Sequence, residues 1–160
     1  MAQAHSLQEP AVQLSATELG AWRGLLRVHS ALVKQLDAEL SSAHKLPLSS
    51  YEVLLNLESA PGRKRRMAEL ADSVLLSRSG MTRLVDRLEK DGLLLRDHCT
   101  DDGRGCYAVL TEKGAAALSE ARHTHLGGVR QKFLAHFDEV ELRTLAVYWD
   151  RVVPGASGLD

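Results

Sequence analysis

The chain has 160 residues, with 20 Lys/Arg against 21 Asp/Glu (net charge −1), 44% hydrophobic and 26% charged residues. That apolar content offsets chain entropy, so bulk disorder is excluded. No apolar run approaches the roughly 20 residues that span a bilayer, and two cysteines cannot build a disulfide scaffold. Met1–Pro10 carries neither the basic cluster nor the apolar stretch of a secretory leader, so the expectation is a cytoplasmic protein with no membrane partner.

Aromatic residues are only 4%, while Leu and Ala are abundant, which favours helix. Residues 1–13 and 154–160 read as flexible tails. Ser15-Ala16-Thr17-Glu18 is a capping box. Behind it Leu19, Trp22, Leu26, His29, Val33, Leu36 and Leu40 recur at alternating spacings of three and four, a seam for helix-on-helix packing. Leu25 and Leu32 widen that stripe, which suggests two partners, the chain's own domain and a second copy. Pro47 ends the segment.

Ser49-Ser50-Tyr51-Glu52 repeats the capping pattern and opens a short helix that Pro61-Gly62 closes. Four basic residues follow, Arg63-Lys64-Arg65-Arg66. A third helix places Met67, Leu70, Ala71 and Val74 on one face. A fourth begins near Ser77 and buries Met81, Leu84, Val85 and Leu88. Gly92 stands where a left-handed C-terminal residue is expected. Residues 93–99 and 106–110 read as strands of one hairpin, with Asp102-Gly103 as its turn. Thr111 caps a long helix that Gly127-Gly128 would weaken or bend, and Asp138-Glu139-Val140-Glu141 caps a last helix with Leu142, Leu145, Ala146, Trp149 and Val152.

Helix, helix–turn–helix and hairpin in that order make a winged helix–turn–helix. The expected class is mainly α (α+β): a DNA-binding lobe at 47–111 between helical dimerisation arms at 15–46 and 112–153. Residues 63–104 hold 10 Lys/Arg against 8 Asp/Glu, a mildly basic middle between acidic ends. The outward face of the fourth helix carries Ser77, Ser79, Thr82, Arg83, Asp86, Arg87 and Lys90. Small hydroxyls let a helix approach base edges, and arginine donates bidentately to guanine or phosphate. Arg63, Arg65, Arg66 and Arg78 are expected on phosphates. Ser77 belongs to the same DNA-facing set, and Ser79, Thr82, Arg83 and Arg87 are expected on bases. Arg104, flanked by glycines, suits a minor groove. Each feature singly is also what a solvated face looks like; their joint order carries the reading.

Residues 49–115 resemble the MarR family of bacterial transcriptional regulators. The resemblance rests on Met67-Ala68-Glu69-Leu70-Ala71, Ser79 to Arg83, Leu84 to Glu89, Asp91-Gly92-Leu93, Arg96, and Asp102-Gly103-Arg104 leading into Leu110 to Gly114. It implies a homodimer on a pseudo-palindromic operator, half-sites about 34–36 Å apart, and repression relieved by a small aromatic or phenolic effector. It also implies that Asp86 braces a wing arginine, for which Arg96 is the candidate. One arginine of the family's wing pattern is replaced by Gly103.

Trp22, His29 and Tyr51 are candidates for an effector pocket, with helix packing as the plainer alternative. Leu19, Leu26, Leu142, Leu145 and Trp149 are candidates for the dimer interface. If Asp102-Gly103 is a two-residue turn, Cys99 and Cys106 stand opposite each other and a thiol-redox regulator is conceivable; two ordinary reduced cysteines is the simpler reading. Ser42-x-x-Lys45 and Gly103-x-Gly105-x-x-Ala108 match enzymatic patterns only by letter. His123-x-His125 points its rings to different faces of a helix. No enzyme, cofactor or metal site is expected. A winged-helix module that binds protein rather than DNA is the competing function.

Overall fold

The computed structural model describes residues 13–73, 78–98 and 106–158. In chain order it forms α1 (Ala16–His44), α2 (Leu48–Glu58), a 3-10 turn (Pro61–Arg63), β1 (Lys64–Arg66), α3 (Met67–Ser73), α4 (Arg78–Lys90), β2 (Leu94–His98), β3 (Cys106–Leu110), α5 (Glu112–Lys132), a second 3-10 turn (Leu134–His136) and α6 (Glu139–Val152). Two compact units divide it, Met1–Ala31 and Leu32–Asp160. In the first, the predicted capping box is made. Glu18 accepts from the Ser15 amide at 2.7 Å and Ser15 Oγ accepts from the Glu18 amide at 3.3 Å, which satisfies orphan donors at the start of α1.

In the second unit Leu40, Leu54, Leu57, Leu70, Met81, Leu88, Leu94 and Leu118 form a fully buried core. The start of α2 differs from expectation. The helix begins at Leu48, with Pro47 as N-cap and no cap from its own side chains. Asp37 of α1 accepts from the Leu48 amide at 2.8 Å instead. Ser50 lies inside the helix, 1% exposed, and its hydroxyl accepts from Arg87 at 3.0 Å. The next residue, Tyr51, stacks on His125 of α5 with ring centroids 4.5 Å apart. The Nδ1 of His125 is buried with no hydrogen-bond partner. Arg122 pairs with Glu58 one turn away, and His44 meets Thr124 at 2.7 Å.

The sheet has three strands in the order β1-β3-β2, not the two of a simple hairpin. The run Lys64-Arg65-Arg66 is the added strand, antiparallel to Tyr107–Val109. Its period-2 alternation puts Lys64 and Arg66 on one face with Tyr107. The Lys64 ammonium lies 4.5 Å from that ring's centroid. Arg66 Nε donates to the Tyr107 hydroxyl at 3.0 Å, and Lys64 pairs with Asp97 at 2.5 Å. A basic run thus becomes an edge strand because an aromatic ring and a carboxylate take up its charges. The ladder also corrects the hairpin register. Cys106 pairs with His98, one residue out of step with a two-residue turn at Asp102-Gly103. Cys99 and the predicted turn at 100–105 lie outside the described residues.

Met81, Leu84, Val85 and Leu88 of α4 are buried, as their spacing predicts. Gly92 takes φ 72° at the helix end, and the Leu93 amide donates to Leu88 O at 2.9 Å. Arg96 of β2 reaches back to this helix. One guanidinium nitrogen bonds Asp86 at 2.5 Å, another bonds Glu89 at 2.5 Å, and Glu89 also accepts the Arg96 amide at 3.0 Å. Thr111 caps α5 through the Gly114 amide at 3.0 Å. Gly114 is required there: a Cβ at this position would lie 1.9 Å from the Leu93 carbonyl oxygen.

α5 runs unbroken through Gly127-Gly128. A Cβ on Gly128 would meet Glu39 at 2.5 Å and Leu36 at 2.8 Å, so its role is close packing of α5 on the later part of α1. Asp138 and Glu141 complete the predicted capping box of α6. Residues 154–158 turn back on the end of α6: Asp150 accepts from the Ser157 amide at 2.8 Å and from its hydroxyl at 2.5 Å.

Two outcomes are expected. Gly114→Ala forces backbone apart at the β2–α5 junction and destabilises by about 3 kcal/mol, as overpacking does; a urea unfolding curve measures it. Burial holds the His125 imidazole below its ordinary range, so the unfolded chain takes up that proton first. The contribution is fully present above about pH 6.5 and is lost as pH falls below it. His125→Phe keeps a ring against Tyr51 and flattens the decline of Tm as pH falls below about 6.5, as thermal melts in a pH series read out.

Candidate nucleic-acid interface

The candidate surface is the side of α4 turned away from its buried stripe. Thr82, Arg83, Asp86, Arg87 and Lys90 are all exposed. Four buried side chains fix the helix from below, and Arg96 fixes it from the wing. The exposed row therefore sits on a rigid support, which is what side chains that read a surface need. Asp86 is engaged by Arg96, leaving the cationic and hydroxyl groups to dominate this face.

Arg87 is more constrained than its spacing implied. Its guanidinium donates to Ser50 on α2, so part of its hydrogen-bonding capacity holds α4 to α2. The basic run is likewise partly committed. Arg63, at φ 55°, bonds Glu112 at 2.9 Å, and Arg66 is tied to Tyr107. These are exposed contacts of the kind that exchange readily with solvent ions. Arg65 is half-buried on the opposite face of β1, in register with Ala108. Arg78 and Ser79 lie in the first turn of α4. Ser77 and Arg104 lie outside the described residues.

The other predicted sites fall into two groups. Trp22 (53% exposed), Leu26 (49%) and His29 present themselves on the first unit, where Leu19 is half-buried. Tyr51, only 2% exposed, belongs to the core of the second unit. On α6, Leu142 and Leu145 are half-buried and Trp149 is exposed, together with Val140, Val147, Tyr148 and Val152. Among the described residues no group of three His, Cys, Asp or Glu side chains is placed to hold a metal ion.

Three groups that shape the interface escaped sequence reasoning: Ser50, Lys64 and Tyr107. Ser50 falls inside a capping pattern whose cap would be Ser49, and Lys64 falls inside a basic run that also fits a solvated face. Tyr107 had one usable signal, its place on a strand opposite a basic tripeptide, but that pairing is nonlocal.

The family model for the MarR family matches residues 44–105. Sco3205, a MarR family transcriptional regulator from Streptomyces coelicolor solved in complex with DNA, superposes with a TM-score of 0.83 at 31% identity, over 89% of this chain and 93% of that one. AbsC, a MarR family transcriptional regulator from the same organism, superposes with a TM-score of 0.82 at 30% identity, over 93% of this chain and 100% of that one. An uncharacterized HTH-type transcriptional regulator of Bacillus cereus is 31% identical over 100 residues, 62% of this chain. The chain spans 64% of the length of that curated relative. With the winged-helix lobe, its braced α4 and identity that extends across whole solved members, the chain belongs to the MarR family of transcriptional regulators.

Proposed function

We propose that the chain is a sequence-specific repressor that binds a pseudo-palindromic operator as a homodimer and is released by a small aromatic or phenolic effector. One observation carries the DNA-binding part: Thr82 and Arg83 stand exposed on a helix whose opposite face is buried and whose flank is clamped by Arg96. A helix presented in this way enters a major groove, where arginine selects guanine by its O6 and N7 acceptors. Sco3205, the similar protein solved in complex with DNA, supports the same reading. Arg63, Arg65, Arg66 and Arg78 serve as phosphate contacts, with Arg104 at the minor groove. The exposed ion pair of Arg63 gives way to phosphate at little cost.

Homodimerisation would cover apolar side chains that a single chain leaves bare, among them Leu26 at 49% and Trp149 at 38% exposure. Two-fold symmetry then sets two α4 helices about one DNA turn apart. An effector that favours another separation of those helices shifts the population away from the DNA-bound state. No described helix is long and apolar enough to cross a membrane, and the cytoplasm, where operator DNA lies, is the proposed location.

Three measurements test the reading. Arg83→Ala should weaken binding to a selected operator by about 1–3 kcal/mol and relax base preference at one position per half-site; mobility shifts across an operator series read both. If the variant matches wild type on every sequence, Arg83 is not a reading residue. Should wild type show neither retention on heparin nor loss of DNA binding with salt, the protein-binding alternative replaces the DNA reading. Leu26→Glu combined with Trp149→Glu should turn the dimer into monomer by light scattering and abolish operator binding in parallel. A double variant that remains dimeric removes these residues from the interface.

A further inference from the structure

Between α3 and α4 the surface dips into a crevice of about 190 Å³ lined by Met67, Ala68, Ala71, Met81 and Thr82. Met81 (1% exposed) and Ala71 (9%) form its floor. Ala68 and Thr82 are exposed and form its mouth, with Met67 half-buried between. Among the described residues no charged side chain lines it. It is an apolar-lined depression that opens beside Thr82, on the helix whose exposed row also carries Arg83. A polar reading helix flanked by such a depression has a specific consequence in a major groove. The four base pairs present donors, acceptors and only one apolar substituent there, the C5-methyl group of thymine. Methyl and methylene surfaces of alanine and threonine are suited to it, and methionine adapts to the ring edge beside it.

We propose that this crevice is a thymine-methyl pocket, in which Ala68, Met81 and Thr82 bury the C5-methyl of one thymine per half-site and so make this α3–α4 junction a determinant of operator sequence. The inference rests on the DNA-binding reading above and adds which base feature the junction reads. Arg83 reads by donating hydrogen bonds, whereas this pocket reads by excluding water. The two therefore select different positions.

The full-length chain is used to select duplexes from a random pool, and each thymine of the recovered operator is then replaced singly by deoxyuridine, which removes the methyl and nothing else. One thymine per half-site should prove sensitive, with binding weakened about fourfold for one replacement and about fifteenfold for the symmetric pair, the worth of one buried methyl each. In Ala68→Leu, whose side chain fills the crevice, thymine and deoxyuridine duplexes should bind alike. Ala68→Ser keeps the size and adds a hydroxyl. It serves where the larger residue blocks the duplex, and should narrow the difference to under about twofold. Circular dichroism confirms that both variants, altered at an exposed position, remain folded. If an operator is recovered but no thymine is sensitive, or the sensitivity survives both variants undiminished, the pocket assignment is overturned while the DNA reading stands. If no sequence is enriched, the DNA reading fails and takes the pocket with it.

Discussion

The geometry of this surface depends on one guanidinium. Arg96 leaves β2 and spans two carboxylates on α4, Asp86 and Glu89. Two parallel contacts from a planar fork fix an angle, which a single ammonium contact does not. The arginine side chain is 19% exposed and its partners are 56% and 38% exposed, so the value of the cluster lies in orientation more than in stability. Without it, α4 would rest on Met81, Leu84, Val85 and Leu88 and on the bond from Arg87 to Ser50. Hydrophobic packing sets depth well and rotation less well. The brace couples the attitude of the reading helix to that of the wing, so the two present themselves to a duplex as one body.

Gly92 and Gly114 serve the same end from the backbone. Gly92 turns the chain out of α4 in a left-handed conformation, and Gly114 lets α5 start against the Leu93 carbonyl. Leu93 O also accepts the Thr111 amide at 3.2 Å, while Thr111 Oγ1 donates to Gly92 O at 2.7 Å. The chain entering the wing and the chain leaving it are pinned at one spot. That spot lies at the start of the strand that carries Arg96.

Local patterns were legible in the sequence and nonlocal ones were not. The capping residues Ser15, Thr111 and Asp138, the buried stripe of α4 and the turn at Gly92 each depend on neighbours within a few positions, so spacing sufficed. The brace from Arg96 to Asp86 came from the family resemblance. The cap on α2 came from Asp37, eleven residues earlier, and no capping rule spans that distance. β1 hid because lysine and arginine signal solvent; only the pairing with Tyr107 and Asp97 turns the run into a strand. The wing register failed by one residue for a simple reason: the dipeptide Asp102-Gly103 suggests a turn type, whereas the ladder from Leu94↔Leu110 to His98↔Cys106 obeys the burial of Leu94, Ala108 and Leu110.

Adjacent residues of α2 face opposite tasks. Ser50 holds Arg87 of the reading helix, and Tyr51 stacks on His125 of α5. In a helix, successive side chains diverge by about 100°, so one short element touches both the DNA-facing helix and a long flanking helix without either contact shielding the other. The Tyr51–His125 contact is also where the unsatisfied Nδ1 lies, and an unsatisfied buried polar atom lowers the cost of rearranging its surroundings. Rigid support on the α4 side and a less than fully satisfied contact on the α5 side place compliance away from the reading surface. Displacement of α5 would then be taken up first at His125, and would reach Arg87 only as a movement of α2 as a whole. That arrangement would preserve the shape of α4 while leaving its position adjustable.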